Sequence, residues 1–164
     1  MGAYDILFDL SEAQAVSASA ASTNYVDMEV ARAQAGNAGD LWVCVRTHTA
    51  PTAVADTIAI IIQHDADDGA GSPVGTWADF SSLICGAAGV EIATNSANVA
   101  GRVSTAGDWV YRGKIPYEVN RRYVRLYYSN AGTSTGTQTY DAWIQTSPPP
   151  TDRNQVYVSN VSTP

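Results

Sequence analysis

Between Arg121 and Gln145 the chain reads RRYVRLYYSNAGTSTGTQTYDAWIQ, two alternating segments around a run of Gly, Ser, Thr and Asn. In the first, Val124, Leu126 and Tyr128 point one way and Tyr123, Arg125 and Tyr127 the other. In the second, Tyr140, Ala142 and Ile144 share a face opposite Asp141 and Trp143. Successive side chains of a strand alternate between the two faces of a sheet. The pattern predicts two antiparallel strands joined by a turn, as a hairpin with two usable faces. One face suits a core. The other, carrying Tyr123, Arg125, Tyr127 and Trp143, has the Tyr, Trp and Arg composition of a protein interface.

The rest of the chain repeats that period. Leu41 to Thr49 alternates Leu41, Val43 and Val45 against Trp42, Cys44 and Arg46. Thr57 to His64 places Ile58, Ile60 and Ile62 opposite Ile61, the pattern of a central strand covered on both sides. Further β segments are expected at Tyr4–Leu10, Tyr25–Val30, Trp77–Cys85, Trp109–Lys114 and Gln155–Asn160, with one more between Gly86 and Gly107. The Ala- and Ser-rich stretch Ser11–Asn24 lacks large apolar residues at helical spacing, so an irregular or edge-strand arm is expected there. Pro148, Pro149 and Pro150 must leave any ladder, because proline donates no backbone hydrogen bond. The expectation is an all-β chain: a single-domain, jelly-roll-like β-sandwich of about 8–10 short strands over residues 1–164. Within it, residues 1–24 form an N-terminal arm, and residues 146–164 a Pro-rich turn and C-terminal strand.

Composition narrows the partners. A chain of 164 residues is most simply one domain. At this size it can bury a core without disulfide or metal staples. The net charge is −7 and the only lysine is Lys114. That balance argues against nucleic acid, whose phosphates call for clustered Lys and Arg. Charged residues make up only 15% of the chain, which suits a β protein partly covered by partners. The opening MGAYDILFDL has acids where a secretion signal needs bases, and Ile6 stands where myristoylation wants Ser or Thr. No apolar run approaches a membrane span, so no membrane partner is expected. Cys44 and Cys85 can pair in only one way, and nothing suggests an oxidising compartment. A small buried thiol is the expectation for Cys44.

Chemistry is hard to find. The acidic loop His64–Ser72, HDADDGAGS, suggests calcium, yet Asp65, Asp67 and Asp68 lack EF-hand spacing and no glutamate closes the loop. His48 and His64 end separate β segments and meet only if those strands pair; zinc would need further ligands and the cysteines sit poorly for that, so two surface histidines are expected. No Gly-x-Ser-x-Gly elbow is present. The carboxylate pairs Asp65 with Asp79 and Asp108 with Glu118 are of a kind that any acidic protein supplies. Neither GNAGD nor GAGSPVG opens a helix, as a phosphate-cradling loop would. No catalytic, metal or cofactor role is assigned to any residue.

Two stretches carry a resemblance. Ser11, Glu12, Ala13, Gln14 and Ala15, followed by Ala20, Ala21, Ser22, Thr23, Asn24 and Asp27, are similar to the opening of small tailed-phage capsid proteins. These are the cement, or decoration, proteins first described in Bordetella phage. Arg122-Tyr123-Val124-Arg125-Leu126, then Ala131-Gly132-Thr133 and Gly136, resembles that family's later strand and turn, and Ile115-Pro116 suits it as well. Glu12 stands where the family more often has Asp, and the tail beyond Trp143 has no match. The resemblance implies a non-enzymatic jelly-roll protein, made in the bacterial cytoplasm and bound to the exterior of the capsid. It implies homodimers bridging neighbouring copies of the major capsid protein. The rival reading is a carbohydrate- or receptor-binding jelly roll of a phage tail or surface protein.

The contact residues expected from these readings are Tyr123, Arg125, Tyr127 and Trp143 on the hairpin face, with Gln14, Ser22 and Asn24 on the arm. Because the acidic loop lacks a complete ligand set, adding chelator should move the melting temperature by no more than about one or two degrees. A larger drop, reversed by calcium, would assign ligand roles to Asp65, Asp67 and Asp68.

Overall fold

Apolar residues at every second position leave one face of each strand in need of cover, and two sheets packed face to face supply it. A computed structural model describes residues 8–34, 41–49, 57–83, 92–93, 106–107, 109–115, 121–130 and 138–146. Among them run β1 (Asp9–Val16), β2 (Ala20–Ala21), β3 (Val26–Asp27), α1 (Met28–Gln34), β4 (Trp42–Thr49) and β5 (Thr57–Asp65). There follow β6 (Ala78–Leu83), β7 (Ile92–Ala93), β8 (Trp109–Lys114), β9 (Tyr123–Asn130) and β10 (Gln138–Gln145). One sheet has the order β1-β10-β4-β8. The second has the order β2-β9-β5-β6, with β3 also on β9 and β7 also on β5. All pairings are antiparallel. The molecule is an all-β sandwich.

The core lies between the sheets. Val43 and Val45 of β4 and Tyr140, Ala142 and Ile144 of β10 face Ile60 and Ile62 of β5 and Val124, Leu126 and Tyr128 of β9. Tyr128 and Tyr140 stack across the gap, with ring centroids 5.5 Å apart and planes 13° from parallel. On β8, Gly113 leaves room for the Tyr111 ring: a Cβ there would stand 2.0 Å from the Tyr111 hydroxyl. The alternation expected for β4, β5, β9 and β10 is the alternation observed.

Two expectations need correction. The segments flanking residues 131–137 are not a hairpin. β9 belongs to the six-stranded sheet and β10 to the four-stranded one, so the chain passes from one layer to the other. Both strands bury one face in the same core and alternate as hairpin strands do, so periodicity alone does not separate the two topologies. Second, β3 ends at Asp27 and a short helix follows, where a strand to Val30 was expected. Asp27 is its N-cap: a side-chain oxygen accepts the Glu29 N–H at 2.9 Å. The residues after it, MEVARAQ, are mostly good helix formers. His48 on β4 and His64 on β5 stay apart from any strand pairing, since the two strands lie in different sheets. His48 Nδ1 is 3.1 Å from Asp141, while His64 packs edge-on against Phe80.

The N-terminal stretch takes the edge-strand form rather than that of an irregular arm. β1 pairs with β10 along the rim of the four-stranded sheet, and β2 pairs with β9 in the other layer. Leu10 and Val16, both fully buried, supply the large apolar groups that anchor it, flanking the Ala-rich centre. Between them β1 bulges, and Ala13 takes a left-handed φ of 44°. Its N–H is then held by Asp141 at 2.8 Å. Gln14 is the clasp from β1 to the neighbouring turn. Its Nε2 donates to the Ala21 carbonyl at 2.6 Å, and its Oε1 accepts from Ser11 Oγ at 2.6 Å and from the Thr23 N–H at 2.9 Å. Of the β segment expected at Tyr4–Leu10, the described part begins at Phe8. Cys85, Asp108, Glu118, the three prolines from Pro148 to Pro150 and the segment Gln155–Asn160 lie outside the described residues.

Replacing Gln14 with Ala should destabilise the fold by about 1–3 kcal/mol, because several backbone and hydroxyl groups lose their partner together. For a chain of this length that is a fall in melting temperature of roughly 2–10 °C. Thermal unfolding followed by circular dichroism measures it, and an unchanged midpoint would show that solvent replaces the clasp at no cost.

Candidate interface

Because directly paired residues share a sheet face, the register reads out what each layer presents to the outside. On the six-stranded sheet one row runs Asp79–Gln63–Arg125 and another Asp65–Tyr123–Asp27. Tyr123, Arg125 and Tyr127 therefore share the outer face, as expected. Their own chain covers much of it. Tyr123 is only 1% exposed. Tyr25 meets it edge-on at 5.4 Å, and the Tyr123 hydroxyl donates to Asp67 at 3.3 Å. Arg125 donates from Nε to Gln63 Oε1 at 2.8 Å and lies 4.2 Å from the centre of the Trp77 ring. Tyr127 is half-buried.

The loop from Ala66 to Trp77 folds back toward this face, and its acids hold it. Asp65, fully buried, accepts from the backbone N–H groups of Ala66 at 2.8 Å and Gly75 at 2.6 Å. Asp67 accepts from Gly69 at 2.6 Å and Asp68 from Ala70 at 2.7 Å. Gly69 sits at φ 86°, where a side chain is strained. Arg122 joins the loop to the sheet. It reaches Asp27 from Nη2 at 2.9 Å, pairs with Asp67 through Nη1, and passes Glu29 at 3.5 Å. Burial pushes the Asp27 carboxyl up, but the Arg122 guanidinium and the Glu29 and Val30 N–H groups hold it below the ordinary aspartate value. Asp67 is held low first by the Gly69 N–H, then by Gly71, Arg122 and Tyr123, against some burial. Among the described residues no three His, Cys, Asp or Glu side chains converge as a metal site.

Trp143 is on the other side of the molecule. The outer face of the four-stranded sheet carries the rows Asp9–Trp143–Cys44–Arg112, Asp141–Arg46–Trp109 and Gln145–Trp42–Lys114. Trp143 and Trp109 pack at 5.5 Å, and Trp143 Nε1 donates to Gln145 at 2.8 Å. The Arg112 guanidinium lies 5.0 Å from the Trp109 ring centre and the Lys114 ammonium 5.5 Å from that of Trp42. Cys44 is fully buried in this row, and burial pushes its thiol up to about 12, against the pull of Arg112. It is a small neutral filler rather than a nucleophile.

The structure thus splits the expected contact set. Tyr123, Arg125 and Tyr127 stay together, while Trp143 joins a second aromatic face. Gln14 and Ser22 point their polar groups into their own chain; Ser22 Oγ accepts the Leu126 N–H at 3.0 Å and donates to the Asn24 carbonyl at 2.7 Å. Asn24 is exposed. Sequence reasoning missed Trp77, Tyr25, Trp109 and Lys114. Alternation alone places Trp42 and Arg46 on one face. Only the pairing of β4 with β8 and β10 gathers the rest.

The Arg122 cluster makes stability pH-dependent. Carboxylates held below their unfolded value stabilise the fold above that value and lose the contribution as pH falls through the folded one. Asp9 runs the other way, its carboxyl raised by burial and then by Glu12 and Asp141, so its protonation relieves strain. A comparison with Arg122→Met cancels Asp9. The variant should melt lower than wild type at neutral pH, and the gap should narrow below about pH 4. A gap that stays constant from about pH 7 to about pH 3 would mean that the cluster is not what holds Asp27 and Asp67 low.

A family model described as Bbp16 matches residues 10–144. That span runs from Leu10 in β1 to Ile144 in β10 and so takes in both sheets. No curated protein matches the chain. The family's name points to a Bordetella phage protein, in agreement with the motifs around Gln14 and Arg122. The chain belongs to the Bbp16 family of bacteriophage proteins.

Proposed function

We propose that this protein is a structural component of the virion that binds the outer surface of an assembled phage capsid and cements neighbouring major capsid subunits. The observation that carries this reading is the family match across both sheets, from residue 10 to residue 144. The motifs at Ser11–Asp27 and Arg122–Leu126, which resemble capsid cement proteins, support it. So does the physical character of the fold. Both outer faces are rich in Tyr, Trp and Arg, the residue types that dominate protein contacts. The role is non-catalytic, and the acting unit is a dimer that spans two capsid subunits.

Such a protein acts by mass action. A ligand that binds only the expanded lattice stabilises it by about 2.7 kcal/mol per site at a hundredfold excess over Kd. Repeated by symmetry, modest contacts add up across the shell. The purified protein should co-sediment with expanded empty capsids and not with unexpanded procapsids, and it should raise the temperature at which expanded shells rupture. Failure to pellet with expanded shells at micromolar protein would overturn this reading.

A further inference from the structure

Arg122 ties together three parts of the six-stranded sheet's outer face: Asp27 at the end of β3, Glu29 on α1 and Asp67 in the Ala66–Trp77 loop. What this closure leaves outside is apolar. Tyr25, Val30 and Val74 are the exposed large hydrophobic residues among those described, at 46%, 42% and 50%. Each belongs to one of the tied parts. Tyr25 leads into β3 and packs on Tyr123 and Trp77. Val30 follows Glu29 on α1, and Val74 follows Pro73, which bridges to Asp67. Trp42, Trp77, Trp109 and Tyr123 each have a cation within 5.5 Å of the ring centre, and Tyr25 has none among the described residues. The charges around these apolar groups do not balance. Across β3, α1, the end of β5, the loop, β6 and the start of β9 stand six acids: Asp27, Glu29, Asp65, Asp67, Asp68 and Asp79. The same elements hold four arginines: Arg32, Arg121, Arg122 and Arg125. Backbone N–H groups orient Asp65, Asp67 and Asp68 but supply no counter-charge. The Glu29 side chain is 72% exposed.

We infer that this end of the six-stranded face, marked by Tyr25, Val30 and Val74, is a docking surface for a basic polypeptide segment with apolar side chains between its cations. Within the reading of the protein as a capsid cement, on which the choice of partner rests, that segment belongs to the capsid subunit. The three exposed side chains supply apolar area whose removal from water drives association. Charge complementarity sets the sign of the partner, because the surroundings carry two more acids than arginines. A lysine or arginine arriving over the Tyr25 ring meets the negative face of the ring within that field of carboxylates. A second copy of the chain fits less well. In a twofold contact this face would oppose its own excess of acid.

The test uses the full-length protein and two measurements. In the first, Val30→Gln with Val74→Gln is compared with wild type for co-sedimentation with expanded capsids and for its own size by sedimentation velocity. Both side chains are exposed, so the double variant should melt as wild type does. In the second, intrinsic tryptophan fluorescence is followed as poly-L-lysine is added to wild type, Glu29→Gln and Glu12→Gln. The two single variants each lose one exposed carboxylate, from α1 and from β1, so total charge does not distinguish them. The double variant should bind capsids roughly tenfold more weakly, with its size in solution unchanged. Glu29→Gln should bind poly-L-lysine several-fold more weakly than Glu12→Gln, and the difference should shrink with salt.

Decoration by the double variant equal to that of wild type overturns the inference. So does equal binding of poly-L-lysine by Glu29→Gln and Glu12→Gln. A double variant that sediments as a smaller species than wild type would make the face a contact between copies, which also overturns it. If the wild-type protein pellets with no capsid, the cement reading fails and the poly-L-lysine comparison alone decides this one.

Discussion

A buried chain of hydroxyls holds the two sheets in register. Tyr128, on β9 in the heart of the six-stranded sheet, is fully buried, and its hydroxyl lies 2.9 Å from Ser11 Oγ on β1 of the other sheet. Ser11 has one hydrogen and gives it to Gln14, so Tyr128 must be the donor to Ser11. Gln14 then passes the connection to Ala21 and Thr23, next to β2 on β9. A Tyr hydroxyl inside an apolar core is costly unless bonded, so this path specifies where β1 must lie. The bulge at Ala13 follows from it. Gln14 can turn toward Ala21 only because β1 gains residues against β10 at that point, and Asp141 secures the freed Ala13 N–H.

The fold class was legible because alternation is a local signal. β4, β5, β9 and β10 each bury every second residue in the pattern that Val43, Ile60, Leu126 and Ala142 announce. Topology was not legible, and the placement of β9 and β10 in different layers shows why. Whether two consecutive strands pair or face each other depends on the path of the link and on what each meets at its edges. The residues that decide this, Ser11 opposite Tyr128 and Ile61 opposite Tyr127, are far away in the chain. The helix α1 escaped for a different reason. Its signal is Asp27 followed by good helix formers, but seven residues are too few for periodicity to register.

The site was half legible. Alternation placed Tyr123, Arg125 and Tyr127 on one outward face, and the structure keeps them there. It could not reveal that Tyr25, Trp77 and Asp67 fold over that face, because their approach depends on the path of the Ala66–Trp77 loop. Nor could it assemble the tryptophans of the four-stranded sheet. Trp42, Trp109 and Trp143 are far apart in the chain and become neighbours only through the pairing of β4 with β8 and β10. Polar residues in the N-terminal stretch look available in a sequence. Gln14 is spent on the Ala21 carbonyl and Ser22 on the Leu126 N–H, which faces the gap between β2 and β3 along β9.

These placements give the two surfaces different physical characters. The six-stranded face is closed on itself: an arginine shared by three acids and tyrosine edges under a folded-back loop tie it together and leave the cluster net acidic. The same ties hold β9, which through Tyr128 contacts β1 at the rim of the other sheet. The four-stranded face has its cations lifted onto indole rings and the Cys44 thiol buried beneath them. The acids that close one side of the sandwich therefore have their counterpart on the other in the indole rings that lie against Arg112 and Lys114.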